Sequence, residues 1–124
     1  RHEMTVVNAG HLPPLLRRGA TGRIELVGAS IARPPLGIDA GLRYQQARIR
    51  LQPGDLVAMY TDGVSEARDR NGKIYGVERM RRVLVKETNA QQFVQSVLAD
   101  VQRFTEGMEQ EDDVCIVTFS RNRE

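Results

Sequence analysis

Hydrophobic and polar positions along this chain fall into blocks, and the period of each block predicts an element. Residues 4–9 and 13–17 are short apolar runs separated by Gly10-His11-Leu12, which reads as two strands paired around a turn. Gly19-Ala20-Thr21-Gly22 is a second turn, ahead of Ile24-Glu25-Leu26-Val27. From Gly28 to Gly41 no period survives and Pro34 and Pro35 are adjacent, so this stretch is a loop. Its length is unusual for a compact domain and points to a role. Across residues 43–51, Tyr44, Ala47, Ile49 and Leu51 are interleaved with Gln and Arg, as in a half-buried strand. Pro53-Gly54-Asp55 turns the chain into Leu56-Val57-Ala58-Met59-Tyr60-Thr61, a nearly continuous apolar run that predicts a strand buried on both faces.

That run stops at Asp62-Gly63, and Val64 to Gly76 is a polar excursion with a turn at Asn71-Gly72. Val77, Met80, Val83 and Leu84 recur at helical spacing within 77–86. Phe93, Val94, Val97, Leu98, Val101 and Phe104 form the apolar face of a second helix, with Asn89 placed to cap it and Gly107 to end it. The acidic run Glu109-Gln110-Glu111-Asp112-Asp113 leads into Val114-Cys115-Ile116-Val117-Thr118-Phe119, which reads as a last buried strand. The pattern is α+β, with most strands first and the helices late.

Composition narrows the class. A chain of 124 residues is one domain or part of one. Apolar residues at 40% and charged residues at 27% argue against disorder. Aromatics at 5% and the absence of Trp require an aliphatic core. No uncharged stretch approaches the ~20 apolar residues of a membrane span, and no signal peptide opens the sequence. Arg1, not Met, leads almost at once into Met4-Thr5-Val6-Val7, as in a chain entered partway through a strand. The net charge of +2 comes from 18 basic and 16 acidic residues scattered along the chain, so no nucleic-acid partner is expected. Arg17-Arg18 and Arg79-Arg81-Arg82 read as solvated faces. One cysteine, Cys115, excludes an internal disulfide and a Cys-based zinc cage, and a reducing, cytoplasmic setting is the expectation.

Two places set carboxylates against a predicted buried strand: Asp62 after 56–61, and Asp112-Asp113 before 114–119. Neither has a Lys or Arg neighbour at strand spacing. A hard divalent cation, which prefers oxygen ligands, would relieve the charge at both. The bland alternative is that Asp62-Gly63 is a type I′ or bulge turn and that Asp112 and Asp113 are simply solvated.

The wider pattern bears on that choice. Asn8-Ala9-Gly10-His11-x-Pro13-Pro14-Leu15-Leu16, Pro35-Leu36-Gly37-Ile38, Leu51-x-Pro53-Gly54-Asp55, Tyr60-Thr61-Asp62-Gly63-Val64-x-Glu66-Ala67, Tyr75-Gly76-x-Glu78-Arg79 and Asp112-Asp113 occur in this order. Together they resemble the C-terminal part of the SpoIIE/RsbU branch of the PPM-type, metal-dependent serine/threonine protein phosphatases, over essentially the whole chain. The resemblance implies part of a four-layer α-β-β-α sandwich with a binuclear Mn²⁺ or Mg²⁺ centre, residues 1–124 being the C-terminal portion of one domain. It implies hydrolysis of phosphoserine or phosphothreonine by metal-activated water, without a covalent phosphoenzyme. The substrate would be a phosphoprotein such as a phosphorylated anti-sigma-factor antagonist, and dimerisation through an unpaired sheet edge is a further expectation. Asp62 matches the family's metal-binding Asp in its Thr-Asp-Gly motif. Asp112 matches the Asp opening the final motif, with Asp113 second to it. Glu66 stands where relatives place an acid near an additional, weaker metal.

The sequence departs from the family pattern twice. The first metal motif of the family, whose Asp bridges both cations, is not among these residues, so the chain alone carries an incomplete centre and is expected to be inactive. Cys115 stands where the family usually has Thr or Ser. Cys115 and Arg121 also carry the Cys-x₅-Arg spacing of cysteine-dependent phosphatases, but the intervening residues are β-forming and lack the glycines of a phosphate cradle. His11 is read as a structural turn residue rather than a general acid, and Arg68, Arg70 and Lys73 as a solvated loop. The competing functional reading is a truncated or degenerate phosphatase-like module that binds a regulatory partner without turnover.

Overall fold

The computed structural model describes residues 1–123. Strands β1 (Glu3–Val6), β2 (Leu15–Arg17), β3 (Ile24–Leu26), β4 (Ala47–Arg50) and β5 (Leu56–Tyr60) come first. They are followed by the helical turn α1 (Asp62–Ser65), helices α2 (Val77–Lys86) and α3 (Ala90–Thr105), and strand β6 (Ile116–Ser120). The strands form two antiparallel sheets, one of β1 and β4 and one in the order β3-β2-β5-β6. The α+β reading is correct.

The four-stranded sheet is apolar on both faces because β2 and β5 send alternate side chains to opposite sides. Leu15, Leu56, Ala58 and Tyr60 meet Met80 and Leu84 of α2 and Phe93 and Val97 of α3. Leu16 and Val57 point the other way, against Met4, Val6 and Ile49 of the small sheet. The result is helices, sheet and sheet in that order: three of the four layers of an α-β-β-α sandwich. Helix α3 starts where the sequence places its cap, the Asn89 side chain accepting from the Gln92 N–H at 3.0 Å. It ends with Glu106 and Gly107 in the left-handed region.

The structure corrects three local expectations. The runs at 4–9 and 13–17 do not pair with each other: β1 pairs with β4, and β2 with β3 and β5. Gly10-His11-Leu12 is therefore a crossing between sheets, shaped by Asn8, whose amide accepts from the His11 N–H and donates to the His11 carbonyl, both at 2.9 Å. The polar excursion after Asp62 also hides core residues, because Val64 and Tyr75 are buried. Finally, β6 is only half-buried and is an edge strand among the described residues, with Val117 and Phe119 exposed.

The long loop is held rather than loose. Ala9 bridges to Arg33, the Arg33 N–H donates to the Asn8 carbonyl at 3.2 Å, and Gly10 packs against Pro35 too tightly for a Cβ. Two of the motifs read from the sequence thus meet across this contact.

Candidate metal centre

The site grows from the pairing of β5 with β6. Antiparallel register sets Tyr60 opposite Ile116, so residues leaving β5 meet those entering β6. Thr61 ties them: its N–H donates to the Cys115 carbonyl, its Oγ1 accepts from the Cys115 N–H, and its hydroxyl donates to the Asp113 carbonyl, each at 3.0 Å. The chain then enters α1, closed by the Glu66 N–H donating to the Asp62 carbonyl at 2.7 Å and anchored by buried Val64. Asp62-Gly63 is thus the start of a helical turn, not a type I′ or bulge turn. Gly63 is buried against the backbone of Asp113.

Asp62, Glu66 and Asp112 line one cavity of about 490 Å³. Its apolar wall comes from Leu98 and Val101 of α3 and from Met108. Among the described residues none of Asp62, Glu66, Asp112 and Asp113 takes part in an ion pair. Asp112 accepts the Asp113 N–H at 2.8 Å through one carboxylate oxygen. Asp113 is exposed and gives its backbone carbonyl to Thr61; it is not among the residues lining the cavity. By donor type, exposed carboxylates outside any ion pair fit a hard cation such as Mn²⁺ or Mg²⁺, although Arg68 lines the same cavity. They do not close a site: among the described residues no group of three potential ligands converges.

Of the other candidates, Arg68 lines the same cavity and His11 does not. His11 is exposed, its Nδ1 is 2.8 Å from the Leu12 carbonyl, and it lines a separate apolar hollow with Met59, Tyr60 and Cys115. Arg68 and Arg70 make loose, exposed pairs with Glu111 and Glu106 at 3.8 and 3.7 Å. Sequence reasoning missed the wall of Leu98, Val101 and Met108. Its only signal is that the apolar face of α3 is wider than the sheet beneath it can cover, which leaves Leu98 44% exposed.

Known proteins share this fold. The SiaA-PP2C domain of Pseudomonas aeruginosa superposes at a TM-score of 0.78 with 19% identity, over 98% of this chain and 47% of that one. The phosphatase domain of the cell fate determinant SpoIIE from Bacillus subtilis gives 0.71 and 21%, over 98% and 52%. The RsbU and RsbW domains of Rv1364c from Mycobacterium tuberculosis give 0.66 and 22%, over 98% and 33%. Protein IcfG of Synechocystis sp. (strain ATCC 27184 / PCC 6803 / Kazusa) is 24% identical over 122 residues, 96% of this chain and 18% of that protein. The chain therefore spans about half, or less, of the length of the relatives it matches. The fold is that of part of a PP2C phosphatase domain. The sequence profile of Stage II sporulation protein E (SpoIIE) matches residues 1–122, and the chain belongs to that family.

Proposed function

We propose that residues 1–124 are the C-terminal portion of a metal-dependent protein phosphatase domain that hydrolyses phosphoserine or phosphothreonine. The observation that carries the reading is the meeting of Asp62 and Asp112, far apart in sequence, on the wall of one cavity at the joined ends of β5 and β6. Asp62 and Asp112 are the catalytic-centre ligands in this reading, with Glu66 a third donor on the same wall; Asp113, outside the cavity lining, serves through its backbone carbonyl on Thr61. Asp62 and Asp112 would hold Mn²⁺ or Mg²⁺, which would supply an activated water and stabilise charge on the phosphoryl oxygens. The chain's own part is to hold the carboxylates: Thr61 and Gly63 fix the 112–115 segment against α1, and Val64 pins α1 to the core.

The substrate in this proposal is a phosphorylated regulatory protein, an anti-sigma-factor antagonist by family resemblance, in the cytoplasm. No helix among the described residues is long and apolar enough to cross a membrane. The exposed edge of β6, with Val117 and Phe119, supports self-association as a dimer. The second reading, a phosphatase-like module that binds a partner without turnover, is favoured by one observation, that no three ligands converge among the described residues.

The test uses the complete domain and a phosphoserine peptide. Asp62→Asn or Asp112→Asn abolishes Mn²⁺-dependent hydrolysis with the circular dichroism spectrum unchanged, while Cys115→Ser retains turnover. Loss of activity in Cys115→Ser with activity retained in Asp62→Asn overturns the reading. A complete domain with no turnover but tight partner binding favours the second.

A further inference from the structure

On the side of α3 away from the carboxylate cavity, α2 and α3 enclose a cleft of about 340 Å³. Its walls carry Arg79, Arg82 and Lys86 from α2 and Arg103 from α3, and its only acids among the described residues are Glu87 and Asp100. Both acids are already engaged. Asp100 accepts from the Tyr75 hydroxyl at 2.7 Å and pairs with Arg103 at 3.1 Å, while Glu87 accepts from the Ser96 hydroxyl at 2.9 Å. Arg79 lies over the Phe104 ring, 4.5 Å from its centroid. Arg82 and Lys86 are exposed and have no ion pair or side-chain hydrogen bond among the described residues. They stand four residues apart on one helix face, with Arg79 three residues before Arg82, a like-charge spacing that destabilises a helix by itself. Lys86 gains something from the C-terminal end of the helix dipole; Arg82 gains nothing of the kind.

We propose that this cleft docks an acidic, extended segment of a protein partner, whose carboxylates supply the counter-charges that Arg82 and Lys86 lack. Guanidinium groups in a recess match carboxylate geometry bidentately. A nucleic acid fits the cleft less well. No aromatic side chain lines it among the described residues, and the neighbouring Phe104 ring is covered by Arg79, so the cleft offers bases no stacking platform. The inference does not depend on phosphatase activity, and its test uses none.

The probe is a fluorescein-labelled octaglutamate peptide titrated with the full chain and followed by fluorescence anisotropy at low and at physiological salt. Saturable, salt-sensitive binding is expected, weakened roughly tenfold or more by Arg82→Glu with Lys86→Glu. It should be unchanged by Arg48→Glu, an exposed position on β4 outside the cleft. Equal weakening by Arg48→Glu, absence of saturation, or tighter binding of a thymidine octanucleotide or of phosphatidylserine vesicles overturns the proposal. Arg82 and Lys86 are exposed, so circular dichroism of the double variant is expected to match the parent.

Discussion

Gly63 lies flush against Asp113: a methyl group at Gly63 would stand 2.8 Å from the Asp113 carbonyl carbon and would collide with its oxygen. The two residues belong to segments held together by the β5–β6 pairing and by the Thr61 hydrogen bonds, and this contact limits how closely the Asp62 turn and the Asp112 loop approach. Gly63→Ala must push one backbone from the other. Overpacking of this kind costs about 1–3 kcal/mol. A melting temperature several degrees lower is expected, and an unchanged one would show that the two segments can separate freely.

Thr61 provides the polar half of the same junction. Thr61→Val keeps the shape and removes both bonds of the hydroxyl, to Cys115 and to Asp113. At about 0.5–1.5 kcal/mol for a net hydrogen bond, the global effect is modest. The local effect is sharper: the Cys115 amide loses its acceptor, so its hydrogen exchange should accelerate relative to amides in the middle of β5. Equal rates in parent and variant would remove Thr61 from this role.

Acid sensitivity should centre on Asp55. The residue is 1% exposed, and burial by itself pushes its carboxyl up. Donation from the Gln52 and Gly19 N–H groups and from the Arg18 guanidinium, at 2.8–2.9 Å, outweighs burial and holds it below the ordinary carboxylate value. With the folded value depressed, the stabilisation is fully present above the unfolded value of about 3.9 and is lost as pH falls through the folded one. Urea midpoints measured between about pH 2 and pH 7 should drop at the acid end in the parent chain. In Asp55→Asn the acid limb should be flatter and the neutral-pH midpoint lower. An acid limb of the same steepness in Asp55→Asn would place the sensitivity elsewhere.

What the sequence made legible follows from what kind of information each element needs. Helix α3 announces itself through one apolar face and the Asn89 cap, both local. Strand β5 does so through an unbroken apolar run that only a doubly covered strand can bury. Pairing is not local, and that is where the reading failed. The runs around Gly10 look like a hairpin, yet the partner of β1 is β4, beyond the long loop. Val64 and Tyr75 escaped notice because a single apolar residue in a polar stretch has no period. Asp62 and Asp112 were legible as acids abutting apolar strands. The close approach of Gly63 to Asp113 was not, since it needs the register of β5 against β6.

That geometry also limits what the 124 residues can bind. Mg²⁺ and Mn²⁺ seek about six oxygen ligands, and affinity rises with the number of carboxylates that converge. Here Asp62, Glu66 and Asp112 share a cavity wall but no three ligands converge among the described residues, and one Asp112 oxygen is engaged by the Asp113 N–H. Most of a cation's ligands would remain water. Calorimetric titration of the isolated chain with Mn²⁺ is therefore expected to show binding only in the millimolar range, about 4 kcal/mol in free energy, and no hydrolysis of a phosphoserine peptide. Asp62→Asn should weaken that binding further, whereas Glu109→Gln, on the rim of the same cavity and without a proposed ligand role, should alter it little. Micromolar binding with measurable turnover would mean that these carboxylates close a working site unaided, and the division of the centre between this chain and the rest of its domain would have to be abandoned.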